Sequence, residues 1–296
     1  MIKLDLISGF LGAGKTTFVN KLLRHYVKQG KRPVYVVNEF GKTGLDAEII
    51  KVNGFEAIEI EGGCICCTLK DDISATILQV AEAFNPTNII VEPSGIFIFD
   101  NFFEMLKEPE IRAKCELGNI FTIVDSVNFT FAKAVYGGFI YNQIKNAPTI
   151  ILSKLEKAKA QNAEELICDI KNINDNAKIF SKIWESWTEG DMAELLDSGA
   201  TAETWVPSNA HSHVKLKSVT VKSGRVFTAE LLDNFVVRYH AGEFGEIYRI
   251  KGIVKSETGL ALLNITNTDV TITPYKGVAE PSLTFIGQSV AEGFVV

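Results

Sequence analysis

An α/β fold with a mostly parallel sheet, followed by a smaller α+β domain, is predicted by three features of the chain. Short apolar runs alternate with helical patterns at residues 33–37, 57–60, 88–91, 119–124, 149–152 and 178–183, as expected of a parallel sheet covered by helices on both faces. A glycine-rich loop, residues 9–16, joins an earlier run at 2–7 to a helical pattern. Past Trp205 the texture changes. Runs at 216–221, 248–254, 260–264, 270–273 and 283–286 surround one convincing helix at 228–239, which predicts an antiparallel sheet with a helix on one face.

Composition bounds the rest. With 296 residues, 46% hydrophobic and 22% charged, the chain can build two cores. The expected boundaries are 1–205 for the first domain, 206–213 for a linker containing Pro207, Ser208, His211 and His213, and 214–296 for the second domain. In the first domain the clearest helices are 17–26 and 69–84. The second repeats Leu69, Ile73, Ile77, Val80, Ala81 and Phe84 at helical spacing, with Thr68 and Asp71 as its capping signal. A polar stretch, 154–176, reads as a surface helix rich in Lys and Glu. A net charge of −6 with no Lys/Arg cluster argues against nucleic acid or an anionic membrane as partner. The first strand begins at once, and no apolar stretch approaches the roughly 18 residues of a membrane span, so a soluble cytoplasmic protein is expected.

The loop Gly9-Phe10-Leu11-Gly12-Ala13-Gly14-Lys15-Thr16 has the spacing G-x-x-x-x-G-K-[ST] of a phosphate-binding loop, which predicts a P-loop NTPase. Its glycines let successive N–H groups turn toward phosphate oxygens, and the following helix presents its N-terminus to the anion. Lys15 would reach the β- and γ-phosphates, Thr16 would hold Mg²⁺, and Thr17 would sit near the α-phosphate. In a chain of net negative charge this local geometry must supply the attraction for the nucleotide.

Gly62-Gly63-Cys64-Ile65-Cys66-Cys67 lies just before the helix at 69. A helix N-terminus lowers a thiol's pKa, and soft thiolates favour Zn²⁺, Cu⁺ and similar ions. Two or three thiolates from one loop leave coordination positions open, as a carrier requires. Spacing alone does not say which of Cys64, Cys66 and Cys67 ligate. Cys115 and Cys168 stand apart in apolar surroundings and read as ordinary buried cysteines.

Taken together, residues 9–17, Asn38-Glu39-Phe40-Gly41 with Gly44 and Asp46, residues 63–67, Glu92-Pro93-Ser94-Gly95 and Val124-Asp125 resemble the CobW family of metal-binding P-loop GTPases. Tyr248-Arg249-Ile250-Lys251-Gly252 and Leu283-Thr284-Phe285-Ile286-Gly287 resemble segments of that family's C-terminal domain. The resemblance implies a GTP-hydrolysing metallochaperone, related to the GTPases that assist nickel insertion, which delivers an ion such as zinc or cobalt to a client protein or cofactor pathway. It implies Asp46 in a first switch loop as a partner of Mg²⁺. Glu92, at the tip of an apolar strand, would bind the Mg²⁺ shell or orient the attacking water, and the Gly95 N–H would contact the γ-phosphate.

The chain also departs from that pattern. Where the family commonly carries N-K-x-D for guanine, Ser153-Lys154-Leu155-Glu156 stands here. Lys154 can cover the base and Glu156 can accept from guanine N1 and N2, while Ser153 replaces the amide that braces the loop. Val37 and Lys42 flank the Asn-Glu-Phe-Gly stretch where some relatives carry acidic residues, although Glu39 remains. His211 and His213 read as solvated linker residues. A phosphotransferase with structural cysteines, or a scaffold that binds nucleotide without turnover, stays open beside the metallochaperone.

Overall fold

The computed structural model describes residues 1–37, 57–59, 69–95, 97, 99–158, 160–197, 217–267, 269–275, 277 and 279–291. The described residues up to 197 form one compact unit and those from 217 a second. The expected linker at 206–213 lies outside the described residues.

In the first unit the elements run β1 (Ile2–Gly9), α1 (Lys15–Lys28), β2 (Pro33–Val37), β3 (Ala57–Glu59), α2 (Leu69–Phe84), β4 (Asn88–Glu92), α3 (Phe99–Met105) and α4 (Pro109–Lys114). They continue with β5 (Cys115–Asp125), α5 (Phe129–Lys145), β6 (Thr149–Ser153), α6 (Ala160–Ile173), β7 (Lys178–Phe180), a 3₁₀ turn (Trp184–Ser186) and α7 (Glu189–Asp197). The seven strands form one sheet in the order β3-β2-β4-β1-β5-β6-β7, with every pair parallel. The carboxyl ends of β4, β1, β5 and β6 therefore lie side by side at one edge, the place where open parallel sheets bind ligands.

Alternation along β1 divides the core. Leu4 and Leu6 pack in one cluster with Ile77 and Val80 of α2, Phe102 of α3 and Ile111 of α4. On the opposite face α1 brings Phe18 to Phe121, with ring centroids 5.3 Å apart, and to Trp184 at 6.0 Å. Asp5 points to that face and is fully buried. Its Oδ2 accepts from the Tyr26 hydroxyl (2.9 Å) and Asn88 Nδ2 (3.0 Å), and its Oδ1 from the Asn119 N–H (2.7 Å). This contact needs a bulge, and the β1–β5 register shifts between Leu4 and Leu6. A Cβ at Gly118 would lie 2.3 Å from Asp5 Oδ1, so only glycine fits there.

Several elements depart from expectation. The helix expected over 154–176 is confined to Ala160–Ile173, and the run expected to 183 leaves the sheet after Phe180. β5 begins four residues before the expected start at 119, because its first residues extend the pairing with β1 from Cys115. Cys115 is buried as expected, but Cys168 is exposed, because the helix turns its position away from the face that buries Leu166 and Ile170. Among the described residues no helix is long and apolar enough to cross a membrane.

The second unit comprises β8 (Lys217–Lys222), β9 (Val226–Phe227), α8 (Ala229–His240), β10 (Ile247–Ser256), β11 (Gly259–Thr266), β12 (Val270–Pro274) and β13 (Ser282–Gly287). Its sheet runs β12-β11-β10-β13-β8, antiparallel throughout, with β9 adding a short parallel pair on β10. Thr228 caps α8 by accepting from the Leu231 N–H at 3.2 Å. Phe235 of that helix packs on Phe244 and Phe285, with centroids 4.9 and 6.2 Å away.

Burial pushes the Asp5 carboxyl above its ordinary range, and the donors from Asn119, Asn88 and Tyr26 oppose that rise. A carboxyl raised in the folded state contributes stability that declines as pH rises through the carboxylate range. Tyr26→Phe removes one opposing donor and raises the group further. The variant should lose about 1–3 kcal/mol of unfolding free energy, with a larger loss at neutral than at acid pH. Urea unfolding of both proteins across that range checks the sign.

Candidate functional site

The loop after β1 takes its shape from glycines that other residues could not replace. Gly12 and Gly14 have φ values of 74° and 99°, and Gly14 caps α1 without any side-chain bond. The Ala13 N–H donates to the Phe10 carbonyl at 3.1 Å, closing a turn that leads into α1, where the Phe18 N–H donates to the Gly14 carbonyl at 3.0 Å. The N-terminal end of a helix of 14 residues, with its positive dipole end, thus opens onto the strand edge.

Four side chains converge there. Glu92, the last residue of β4, is 4% exposed, and its register places it beside Val37 of β2. The Thr16 hydroxyl lies 3.3 Å from both of its oxygens, and the Tyr35 hydroxyl donates to Oε2 at 2.7 Å. Lys15 is buried too. Its Nζ donates to the Phe10 carbonyl at 3.3 Å and stands 3.9 Å from Glu92 Oε1. A carboxyl group this deep requires polar partners, and Lys15, Thr16 and Tyr35 are among those that surround it. A hydroxyl and a carboxylate meeting beside a phosphate loop also form the hard oxygen pair that suits Mg²⁺.

Gly95 follows closely. A Cβ there would lie 2.6 Å from the Leu11 nitrogen, so glycine allows this backbone to press against the phosphate loop. The Phe97 N–H donates to the Ser94 carbonyl at 3.0 Å.

On the other side of β1 the ends of β5 and β6 meet. Ser153 is buried, and its hydroxyl donates to the Ala13 carbonyl at 2.6 Å, so the residue that replaces the expected amide still braces the phosphate loop. Trp184 packs against the same point, 3.4 Å from the Cβ position of Gly14, and its indole N–H donates to the Leu152 carbonyl at 2.8 Å. Lys154 has φ 57°, a left-handed conformation that costs a non-glycine residue about 1–3 kcal/mol. Its ammonium pairs with Asp125 Oδ2 at 2.7 Å, and Asp125 also accepts the N–H groups of Val127 (2.9 Å) and Asn128 (3.1 Å). Glu156 is exposed on the turn that follows, and Thr17 is exposed in the first turn of α1.

Of the residues singled out in the sequence, Gly9, Gly12, Ala13, Gly14, Lys15, Thr16, Glu92, Gly95, Ser153 and Lys154 thus gather at one edge of the sheet. Asp46, Cys64, Cys66 and Cys67 lie outside the described residues. Among the described residues no group of three or more His, Cys, Asp or Glu side chains is placed to hold a metal ion. Sequence reading missed Tyr35 and Trp184. The signal for Tyr35 was a hydroxyl in the fully buried strand β2, where it must find a partner.

A fully parallel sheet, a phosphate loop at the end of its central strand and a buried Lys–Thr–Glu cluster define a P-loop nucleotide-binding protein. The sequence matches the family model for the CobW/HypB/UreG nucleotide-binding domain over residues 4–181, and the chain belongs to that family. It is 39% identical over 132 residues to the zinc chaperone CobW of a Sinorhizobium species, a match covering 42% of this chain and 37% of that protein's length. The zinc chaperone YeiR of Escherichia coli is 24% identical over 293 residues, covering 92% and 88% of the two chains. Among solved structures, the Zn(II)-bound YjiA GTPase from E. coli aligns over 97% of this chain and 94% of that one, at 15% identity and a TM-score of 0.46.

Ser153→Ala would leave the buried Ala13 carbonyl without this donor. The expected result is nucleotide affinity weaker by about 1–3 kcal/mol, with the sheet intact. Calorimetric titration alongside circular dichroism measures both.

Proposed function

We propose that this chain is a GTP-hydrolysing metallochaperone that takes up a transition ion of the zinc or cobalt class through Cys64, Cys66 and Cys67 and delivers it to a client metalloprotein or cofactor pathway. The single observation that carries the nucleotide half is the buried Glu92 carboxylate held beside Lys15 and Thr16 at the phosphate loop. The metal half is supported by the cysteine motif in the sequence and by relatives named as zinc chaperones.

In this reading the backbone N–H groups of residues 12–16 cradle the phosphates. Lys15 exchanges its contact with the Phe10 carbonyl for the β- and γ-phosphate oxygens. Thr16 and Glu92 would hold Mg²⁺, with Asp46 as a further oxygen partner; the ion would supply neutralisation of phosphate charge. Glu92 also orients the attacking water, and Tyr35 fixes one of its oxygens. Lys154 covers the base from a conformation set by Asp125, and Glu156 accepts from guanine N1 and N2. Selection of guanine then depends on a carboxylate that reaches from an exposed turn.

The cysteine segment follows β3, which ends at Glu59 on the same edge of the parallel sheet as β4 and lies two strands from it. The nearness of the end of β3 to the end of β4 supports communication between metal and γ-phosphate. The ion is cargo, so its ligands must exist in a state that binds and a state that releases.

Two outcomes are expected. Lys15→Ala should abolish triphosphate binding, whereas Glu92→Gln should retain binding and lose turnover; equal loss of both in Glu92→Gln would assign Glu92 to structure. Second, replacing GDP by a GTP analogue should tighten Co²⁺ or Zn²⁺ binding by about 1–3 kcal/mol, and Cys66→Ser with Cys67→Ser should remove that coupling. Thiolate-to-cobalt absorption reads it directly, and identical affinity in both nucleotide states would end the carrier mechanism.

A further inference from the structure

Gln143 is a polar side chain on α5, 2% exposed, in a helix that sequence patterning did not reveal. Its Nε2 donates to the Gly95 carbonyl at 3.1 Å and to the Phe97 carbonyl at 3.2 Å. A carboxamide nitrogen carries two hydrogens, so one side chain can serve two carbonyls on the segment that follows Glu92. Because both partners are acceptors, only the NH₂ end can face them. The backbone carbonyl of Gln143 is itself held, by the buried Thr122 hydroxyl of β5 at 3.3 Å.

The gripped segment leans directly on the phosphate loop, through the close approach of Gly95 to Leu11. Phe10, Leu11 and Gln143 also line a small apolar cavity of about 20 Å³. The neighbouring helical residue extends the grip. Asn142 is fully buried, accepts from the Phe99 N–H at 3.0 Å where α3 begins, and lies 3.4 Å from Asp100 Oδ2.

We propose that Gln143 is a positioning residue for triphosphate recognition. It holds Gly95 and Phe97 so that the Gly95 peptide lies against the phosphate loop where a γ-phosphate is read, and it makes α5 the element that senses nucleotide state. The turn fixes the direction: the Phe97 N–H holds the Ser94 carbonyl, and in a trans peptide the Gly95 N–H points the opposite way. GDP has no γ-phosphate, so the arrangement that Gln143 holds matters to GTP and not to GDP. This inference rests on the nucleotide half of the proposed function.

The test compares parent, Gln143→Met and Gln143→Glu for affinity toward GDP and a non-hydrolysable GTP analogue. Methionine keeps the length and volume of the side chain but donates nothing, whereas glutamate turns a donor into an acceptor facing two carbonyls. In both variants the GTP analogue should weaken by about tenfold or more while GDP stays within about twofold, in line with the loss of buried hydrogen bonds. Equal weakening of both nucleotides, or no change, overturns the proposal. If neither variant folds, hydrogen exchange on the parent decides: the amides of Phe97 and of residues 139–145 should gain protection with the GTP analogue over GDP, and unchanged protection overturns it. A parent that binds neither nucleotide would defeat the proposed function itself. A parent that favours the triphosphate, together with variants that keep the preference, would defeat only the role of Gln143.

Discussion

A carboxylate cannot be taken out of water without donors to meet it, and the construction of the first unit follows from how Glu92 obtains its own. The strand order sets β4 between β1 and β2. The end of β1 then delivers Lys15 and Thr16 through the phosphate loop, and β2 contributes Tyr35 from the opposite side. Losing β1 or β2 from this order would strip the buried Glu92 of donors it uses here, a change worth several kcal/mol. The same group that the fold must satisfy is the one best placed for chemistry, because an oxygen held by exchangeable donors can transfer its contacts to a cation.

A second buried carboxylate shows what a purely structural solution looks like. Asp5 lies midway along the neighbouring strand β1 and is met by Tyr26, Asn88 and Asn119, all neutral donors, with no cation among those contacts. Burial dominates its titration and pushes the carboxyl up. Glu92 instead has an ammonium 3.9 Å away and sits at the carboxyl end of β4. Position along the strand therefore separates a carboxylate that ties elements together from one that can meet a ligand.

Much of this was legible in the sequence wherever a local pattern had a local cause. The phosphate loop, α2 with its regular apolar spacing, and the carboxylate at the tip of β4 are all visible because neighbours in sequence determine them. α5 was not legible. Phe129–Lys145 carries aromatic and β-branched residues on all sides and two adjacent glycines, each costing a helix about 1 kcal/mol, so propensity and periodicity both fail to mark it. Its helical state depends on packing against β5 and α6. For the same reason Gln143 and Asn142 carried no signal: their partners lie more than 40 residues away. Trp184 belongs to this class, since its contact with Gly14 exists only after β7 has joined the sheet. Ser153 is the instructive intermediate case. Its position in the motif was evident, but that a hydroxyl could reach the Ala13 carbonyl depends on how closely β6 and the phosphate loop approach.

The chain must attract a polyanion while carrying a net charge of −6, and the geometry explains how both are possible. The attraction is short-ranged. In the proposed nucleotide site it would come from the amino end of α1 and from the buried Lys15 ammonium, neither of which requires a basic surface. Because Lys15 is nearly enclosed, solvent screens it far less than it would an exposed lysine, and a single charge can do what a basic patch does elsewhere. Occupation of the loop would then draw Lys15 away from the Phe10 carbonyl and from Glu92 together. Glu92 would lose this ion-pair contact as the phosphates gain it, and a cation beside the bound phosphate would restore the opposing charge. Phosphate binding and cation binding at this edge are therefore expected to reinforce each other, through competition for one lysine rather than through any large movement of the sheet.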